Sequence, residues 1–124
     1  MSFYFANHQI IKIKPELQKD FSYLFNGDYE KIENAVLHEF ADDYFIQGKA
    51  AGYHSEELKN WGHHDYVDEW KGKYPTSYKD GIFSYSNHYN ANGFLGEFYS
   101  DFETDILPLI TEEIIEEDHW SESL

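Results

Sequence analysis

The sequence predicts a single α+β domain spanning residues 1–124. Three observations point there. A β-branched run opens the chain, two stretches with apolar residues at helical spacing follow, and turn dipeptides punctuate an aromatic-rich second half. The order expected is an N-terminal strand, a helical run, a small antiparallel β-meander of two to three strands, and a C-terminal acidic helix.

"HQIIKIK" (His8 to Lys14) alternates partly and is β-branched, which predicts a strand. Pro15 suits the first position of a helix, where its missing N–H costs nothing. Leu17, Phe21, Leu24 and Phe25 give that helix an apolar stripe, and Asn26-Gly27 stops it. Asp28 is the expected N-cap of a second helix, with Tyr29, Ile32, Val36, Leu37, Phe40 and Tyr44 on one side. Between Ala50 and Pro75, Ser55 and Asp65 can cap two short helical pieces.

"SYKDGIFSYSNHY" (Ser77 to Tyr89) predicts a hairpin turning at Asp80-Gly81. Phe83, Tyr85 and Tyr89 would share one strand face, and Ile82, Ser84, Ser86 and His88 the other. Asn92-Gly93 is a second turn signal. Residues 94–102 fit either helix or strand by spacing, and Gly96 with the preceding turn favours a third strand. From Phe102 to Asp118 a helix is expected, with Ile106, Leu107, Ile110 and Ile114 as its apolar face. Pro108 is tolerated near its first turn.

The chain is long enough to bury a core without disulfides, and it has no Cys for thiol chemistry. The N-terminal stretch lacks the basic start, apolar run and cleavage site of a signal peptide, and no run approaches the roughly 18 apolar residues of a membrane span. A cytoplasmic protein is expected.

The formal net charge is −15, and all nine basic residues are Lys. Such a chain would repel a polyanion or an anionic bilayer, so direct nucleic-acid or membrane binding is not expected. The charge is also uneven. Residues 93–124 hold ten acids and no Lys, while residues 1–50 and 51–92 carry net charges of −3 and −2. A sequence tuned only for solubility would spread the excess.

On a helix, Glu112/Glu116 and Glu113/Glu117 would be like-charge pairs one turn apart, each unfavourable by about 0.2–0.5 kcal/mol. Glu116, Glu117 and Asp118 would also crowd its negative C-terminus, at roughly 0.3–1 kcal/mol each. A solvated acidic face is the bland explanation. The sharper one is a surface that meets a basic protein, in which charge steers association and apolar or aromatic side chains anchor it. The residues expected to form it are Asp101, Glu103, Asp105, Glu112, Glu113, Glu116, Glu117 and Asp118, with Leu109 and Trp120 as anchors. Tyr85, Tyr89 and Tyr99 are further anchor candidates.

In charge, size and class the chain resembles two kinds of small acidic inhibitor. One is the immunity protein that neutralises a nuclease or other basic toxin; the other is the phage-type mimic of DNA. The resemblance carries no motif. It implies a non-enzymatic monomer or dimer, without cofactor, that inhibits a basic nuclease or another nucleic-acid-processing enzyme.

The rival reading is a small metal-dependent enzyme built on His54, His63, His64 and Asp68, with Asp65 and Glu69 nearby. His38 and Asp42, spaced i, i+4, could also share a metal. No HExxH, G-x-S-x-G, G-x-G-x-x-G or P-loop pattern is present. A structural or assembly subunit with a solvated acidic face is the third reading.

A helical acidic face makes one firm expectation. Replacing Glu112, Glu113, Glu116 and Glu117 by Gln should weaken partner binding while keeping or raising the melting temperature, as measured by binding assay and thermal melt.

Overall fold

The computed structural model describes residues 3–46, 58, 76–90 and 101–123. Strand β1, Phe3–Ile13, is longer than the run that predicts it. A 3-10 turn, Pro15–Leu17, leads into helix α1, Gln18–Asn26, and Pro15 stands at the start as expected. Gly27 ends α1 with φ 85°, a left-handed conformation that glycine adopts without steric cost.

The second helix differs from expectation. Tyr29–Lys31 forms only a 3-10 turn, and Ile32 is extended. Helix α2, Ala35–Ala41, begins later, capped by the Asn34 side chain, which accepts from the N–H groups of Val36 and Leu37. Asp28 makes no side-chain cap bond. The reason is local competition for backbone donors. The Asp20 carboxylate accepts from the Glu33 N–H at 3.2 Å and the Asn34 N–H at 2.8 Å, which pins that segment outside the helix. Past Ala41 the helix widens into a π-turn, Asp42–Ile46.

Strands β2, Ser77–Lys79, and β3, Ile82–Asn90, form the expected hairpin. Asp80 and Gly81 both have positive φ, 54° and 80°, as a tight turn matching strand twist requires. A π-turn, Phe102–Ile106, then runs into helix α3, Leu107–Ile110. Pro108 explains the widening, because it has no N–H to donate and its ring needs room against the carbonyl one turn back. The Leu107 N–H reaches back to the Phe102 carbonyl.

The C-terminal acidic helix is not formed beyond Ile110. Thr111–Ser123 is strand β4, thirteen residues long. The penalties of stacking carboxylates along a helix argue against a helix here, and Thr111, Ile114 and Ile115 are β-branched, which suits a strand. The free edge of β1 supplies the partner. The sheet is antiparallel with four strands in the order β2-β3-β1-β4, so the first strand lies inside it and no simple meander forms. Among the described residues the domain is α+β, with three short helices beside this sheet. No described helix is long and apolar enough to cross a membrane.

Alternation along β1 and β3 sends Ile11, Ile13, Phe83 and Tyr85 to the helix-covered face, where each is fully buried. Phe83 sits centrally. Its ring lies 4.8 Å from Phe21 edge-on, 5.3 Å from Tyr85 stacked, and 6.4 Å from Phe102. Leu37, Phe40, Leu58, Ile106 and Ile110 complete this core. On the other face Lys12 is exposed, Ile10 and Ile82 are half-buried, and His8 and Ser84 are buried.

One joint ties hairpin, strand and helix together. The Ile13 N–H donates to the Gly81 carbonyl at 2.8 Å, and the Gln18 side-chain amide donates to the Ile13 carbonyl at 3.0 Å. A Cβ on Gly81 would fall 2.7 Å from that Gln18 nitrogen.

The two short helical pieces within residues 50–75 and the Asn92-Gly93 turn lie outside the described residues. So does most of the third strand expected over 94–102, whose last two positions, Asp101 and Phe102, are helical.

Two substitutions test this architecture by urea unfolding. Phe83→Ala should cost about 3–5 kcal/mol, as for other buried aromatic truncations. Gly81→Ala should cost more than the roughly 0.5–1 kcal/mol by which alanine ordinarily gains over glycine, with opposite sign, because it combines a positive φ with the Gln18 clash.

Candidate functional site

The acids of β4 stand on a strand that is at the edge of the sheet among the described residues, and alternation divides them between two faces. Lys12 pairs with Glu113, Ile10 with Glu116 and His8 with Asp118, so Glu113, Glu116 and Asp118 share the face away from the helices. Ile11 pairs with Ile114, Gln9 with Glu117 and Asn7 with His119, which puts that second set on the helix side. The register shifts twice, leaving Glu112 and Ile115 as extra residues on β4. Residues 112–119 are all exposed. Lys12 reaches Glu112 at 3.2 Å, an exposed ion pair of little energetic weight.

The remaining expected site residues lie around the π-turn before α3. Asp101 accepts a hydrogen bond from the Tyr44 hydroxyl. Asp101 and Asp105 line an open cleft of about 450 Å³ together with Glu39, Asp43 and Thr104. Glu103 instead faces a second cleft, of about 350 Å³, beside Leu107, Pro108 and Ile114. Leu109, on α3, is partly buried and packs against the core. Trp120 stands opposite Ala6 in the β1–β4 register. Tyr85, an expected surface anchor, is a fully buried core residue.

The second cleft contains a polar chain that the sequence does not announce. The Tyr85 hydroxyl donates to the Gln9 side-chain oxygen at 2.6 Å. The Gln9 amide nitrogen donates to Glu117 at 3.2 Å, and Glu117 lies 3.0 Å from His119 Nε2. His119 Nδ1 is 2.6 Å from the Asn7 side-chain oxygen, while the Asn7 amide nitrogen donates to Glu103. Four segments thus meet: β3, β1, β4 and the π-turn. Asn7 is oriented by Glu103, so its oxygen faces the ring and needs a donor there. The His119 ring thus lies between the Asn7 oxygen and the Glu117 carboxylate.

This chain joins Glu103 and Glu117, and Tyr85 in place of its expected surface role, with three residues that were not expected: Asn7, Gln9 and His119. Their signal is an alternation in which the inward positions of β1 change from polar Asn7 and Gln9 to apolar Ile11 and Ile13. Polar residues at inward positions need partners, and a helical reading of residues 111–118 hides Glu117 and His119 as those partners.

The Glu117 carboxyl is held below its ordinary value, first by the hydrogen bond with His119 and then by that from Gln9. The expected histidine cluster of His54, His63, His64 and Asp68 lies outside the described residues. His38 is exposed on α2, and no group of three potential metal ligands occurs among the described residues.

Comparison with protein families, with curated proteins and with solved structures finds no match to this chain.

Because the folded-state pKa of Glu117 is lowered, its contribution to stability is complete above the unfolded value and is lost as pH falls through the folded one. Melts of Glu117→Gln taken from neutral pH down through the carboxylate range (about pH 4) should therefore show a shallower acid limb than wild type. Its melting temperature at neutral pH should be lower, whereas Glu113→Gln should leave it unchanged or raise it. This separates Glu117 from the uniform behaviour that a helical face implies.

Proposed function

We propose that this chain is a small non-enzymatic binding protein that neutralises a basic partner. The partner would be a nuclease-type toxin, as for an immunity protein, or another nucleic-acid-processing enzyme, as for a DNA mimic. One observation carries the reading: a long, exposed edge strand that displays Glu113, Glu116 and Asp118 along one face.

Three physical points support it. Alternate residues on a strand repeat every 6.6–6.8 Å or so. That is about twice the 3.4 Å rise per nucleotide of one DNA strand, so a surface built for phosphates can meet these carboxylates in step. Acids on an exposed surface keep their charge at low desolvation cost, and a cluster of one sign raises the rate of encounter with an opposite one. Ten of the acids and none of the lysines fall in residues 93–124, the part of the chain that contains β4. Asp101 and Asp105 lie on the wall of the other cleft, with Glu39 and Asp43.

The test is affinity capture from the source lysate at low and high salt, with wild type beside the triple variant Glu113→Gln, Glu116→Gln, Asp118→Asn. This variant spares the Glu117 network, so the fold should persist. One basic protein held by wild type, released by salt and not captured by the variant is the expected outcome. Equal capture by the variant, or no basic protein at all, would sink the reading.

A further inference from the structure

Resting on that reading, we infer that the outer edge of β4 receives an extended, basic segment of the partner as an additional hydrogen-bonded strand. The acids alone would allow any docking geometry. The sheet edge narrows it.

β4 is the last strand in the order β2-β3-β1-β4, and β1 is its one strand neighbour among the described residues. An edge strand carries a row of backbone N–H and C=O groups directed away from the sheet, which is a template for another strand. Natural edges of this kind are kept short, bulged or charged. Here the two register shifts fall in the first half of β4, at Glu112 and Ile115. From Glu116 to Ser123 the register with β1 is unbroken, running from Ile10↔Glu116 to Phe3↔Ser123. That stretch is long enough for the alternate hydrogen bonds of a strand addition.

Charge then selects the occupant. A second copy of β4 laid along this edge would set carboxylates opposite carboxylates, which is unfavourable. A strand with Lys or Arg at alternate positions would instead place its cations beside Glu116 and Asp118 on one face. The intervening side chains would lie on the Glu117 and His119 side, next to the cleft with Leu107, Pro108 and Ile114. Ile114 and Ile115, 48% and 51% exposed, supply apolar surface at the end of the regular run. The acids thus have two effects on one edge: they exclude self-pairing and admit a basic strand. Main-chain hydrogen bonds would give affinity, and alternate side chains would give specificity.

The probe is a capped peptide alternating lysine and valine, titrated into the full chain and followed by calorimetry and by backbone amide shifts of β4. Two isomers carry N-methyl groups on the lysine amides only or on the valine amides only. All three have the same charge, but each isomer loses the hydrogen-bond donors of one edge. Strand addition expects the parent peptide and one isomer to bind, with the other weakened by about tenfold or more and the shifts centred on residues 116–123. Equal affinities for the two isomers overturn strand addition and indicate attraction by charge alone, leaving the basic-partner reading intact. Absence of binding by the parent peptide overturns it too. So does a neutral-pH dimer of this chain held through β4. Capture of a basic protein in the preceding experiment is independent of these outcomes, so the two readings fail separately.

Discussion

The structure depends on β1 being hydrogen-bonded along both of its edges. β3 pairs along one side and β4 along the other. Its alternation therefore fixes what two neighbours present at once. Ile11 and Ile13 anchor the core, Asn7 and Gln9 feed the polar chain, and Lys12 and His8 face the other way. A slip of one residue of β1 against β3 would turn Lys12 into the aromatic core and the two isoleucines out of it, and a slip of β4 against β1 would exchange the faces of its acids. The core itself is a set of rings around Phe83, held by α1, α2 and the π-turn before α3. That packing sets the register, and the register decides which acids of β4 share a face.

Local signals were legible where local chemistry decides the outcome. The Asp80-Gly81 turn, the Pro15 start and the Gly27 stop each follow from the conformations that a few residues allow. The second helix begins late because Asp20, on another element, takes the donors of Glu33 and Asn34. No window around Asp28 contains that information. β4 was missed for a similar reason. Ile106, Leu107, Ile110 and Ile114 fit a helical stripe, but Ile114 belongs to a strand whose partner lies about a hundred residues earlier. The tension was visible nonetheless: a helix that stacks carboxylates at its negative end is a poor helix. Read as evidence about conformation, that strain argues for a strand.

The acids singled out by the sequence lie on several elements and not on one helical face. Asp101 and Asp105 flank one cleft, Glu103 faces another, and the β4 acids divide between two faces. Glu117 differs most from its neighbours, because Gln9 and His119 hold it in a network with Tyr85, Asn7 and Glu103. The charged strand thus combines an outward face of exposed acids with an inward side whose carboxylate is engaged within the fold. Leu109 and Tyr85 pack against the core, whereas Ile114 and Ile115 on β4 are about half exposed.

The pairing of β1 with β4 also bears on how the molecule is made. Gln9 and Glu117 are separated by 108 positions in sequence. Contacts of such separation carry a large loop-closure cost and slow folding. The β2–β3 hairpin and α1 can form from nearby residues, whereas β4 has to find an edge that only an assembled β1 and β3 present. The loop-closure cost therefore predicts that β4 docks after these local elements, and like charges along it would oppose its association with other chains before it docks.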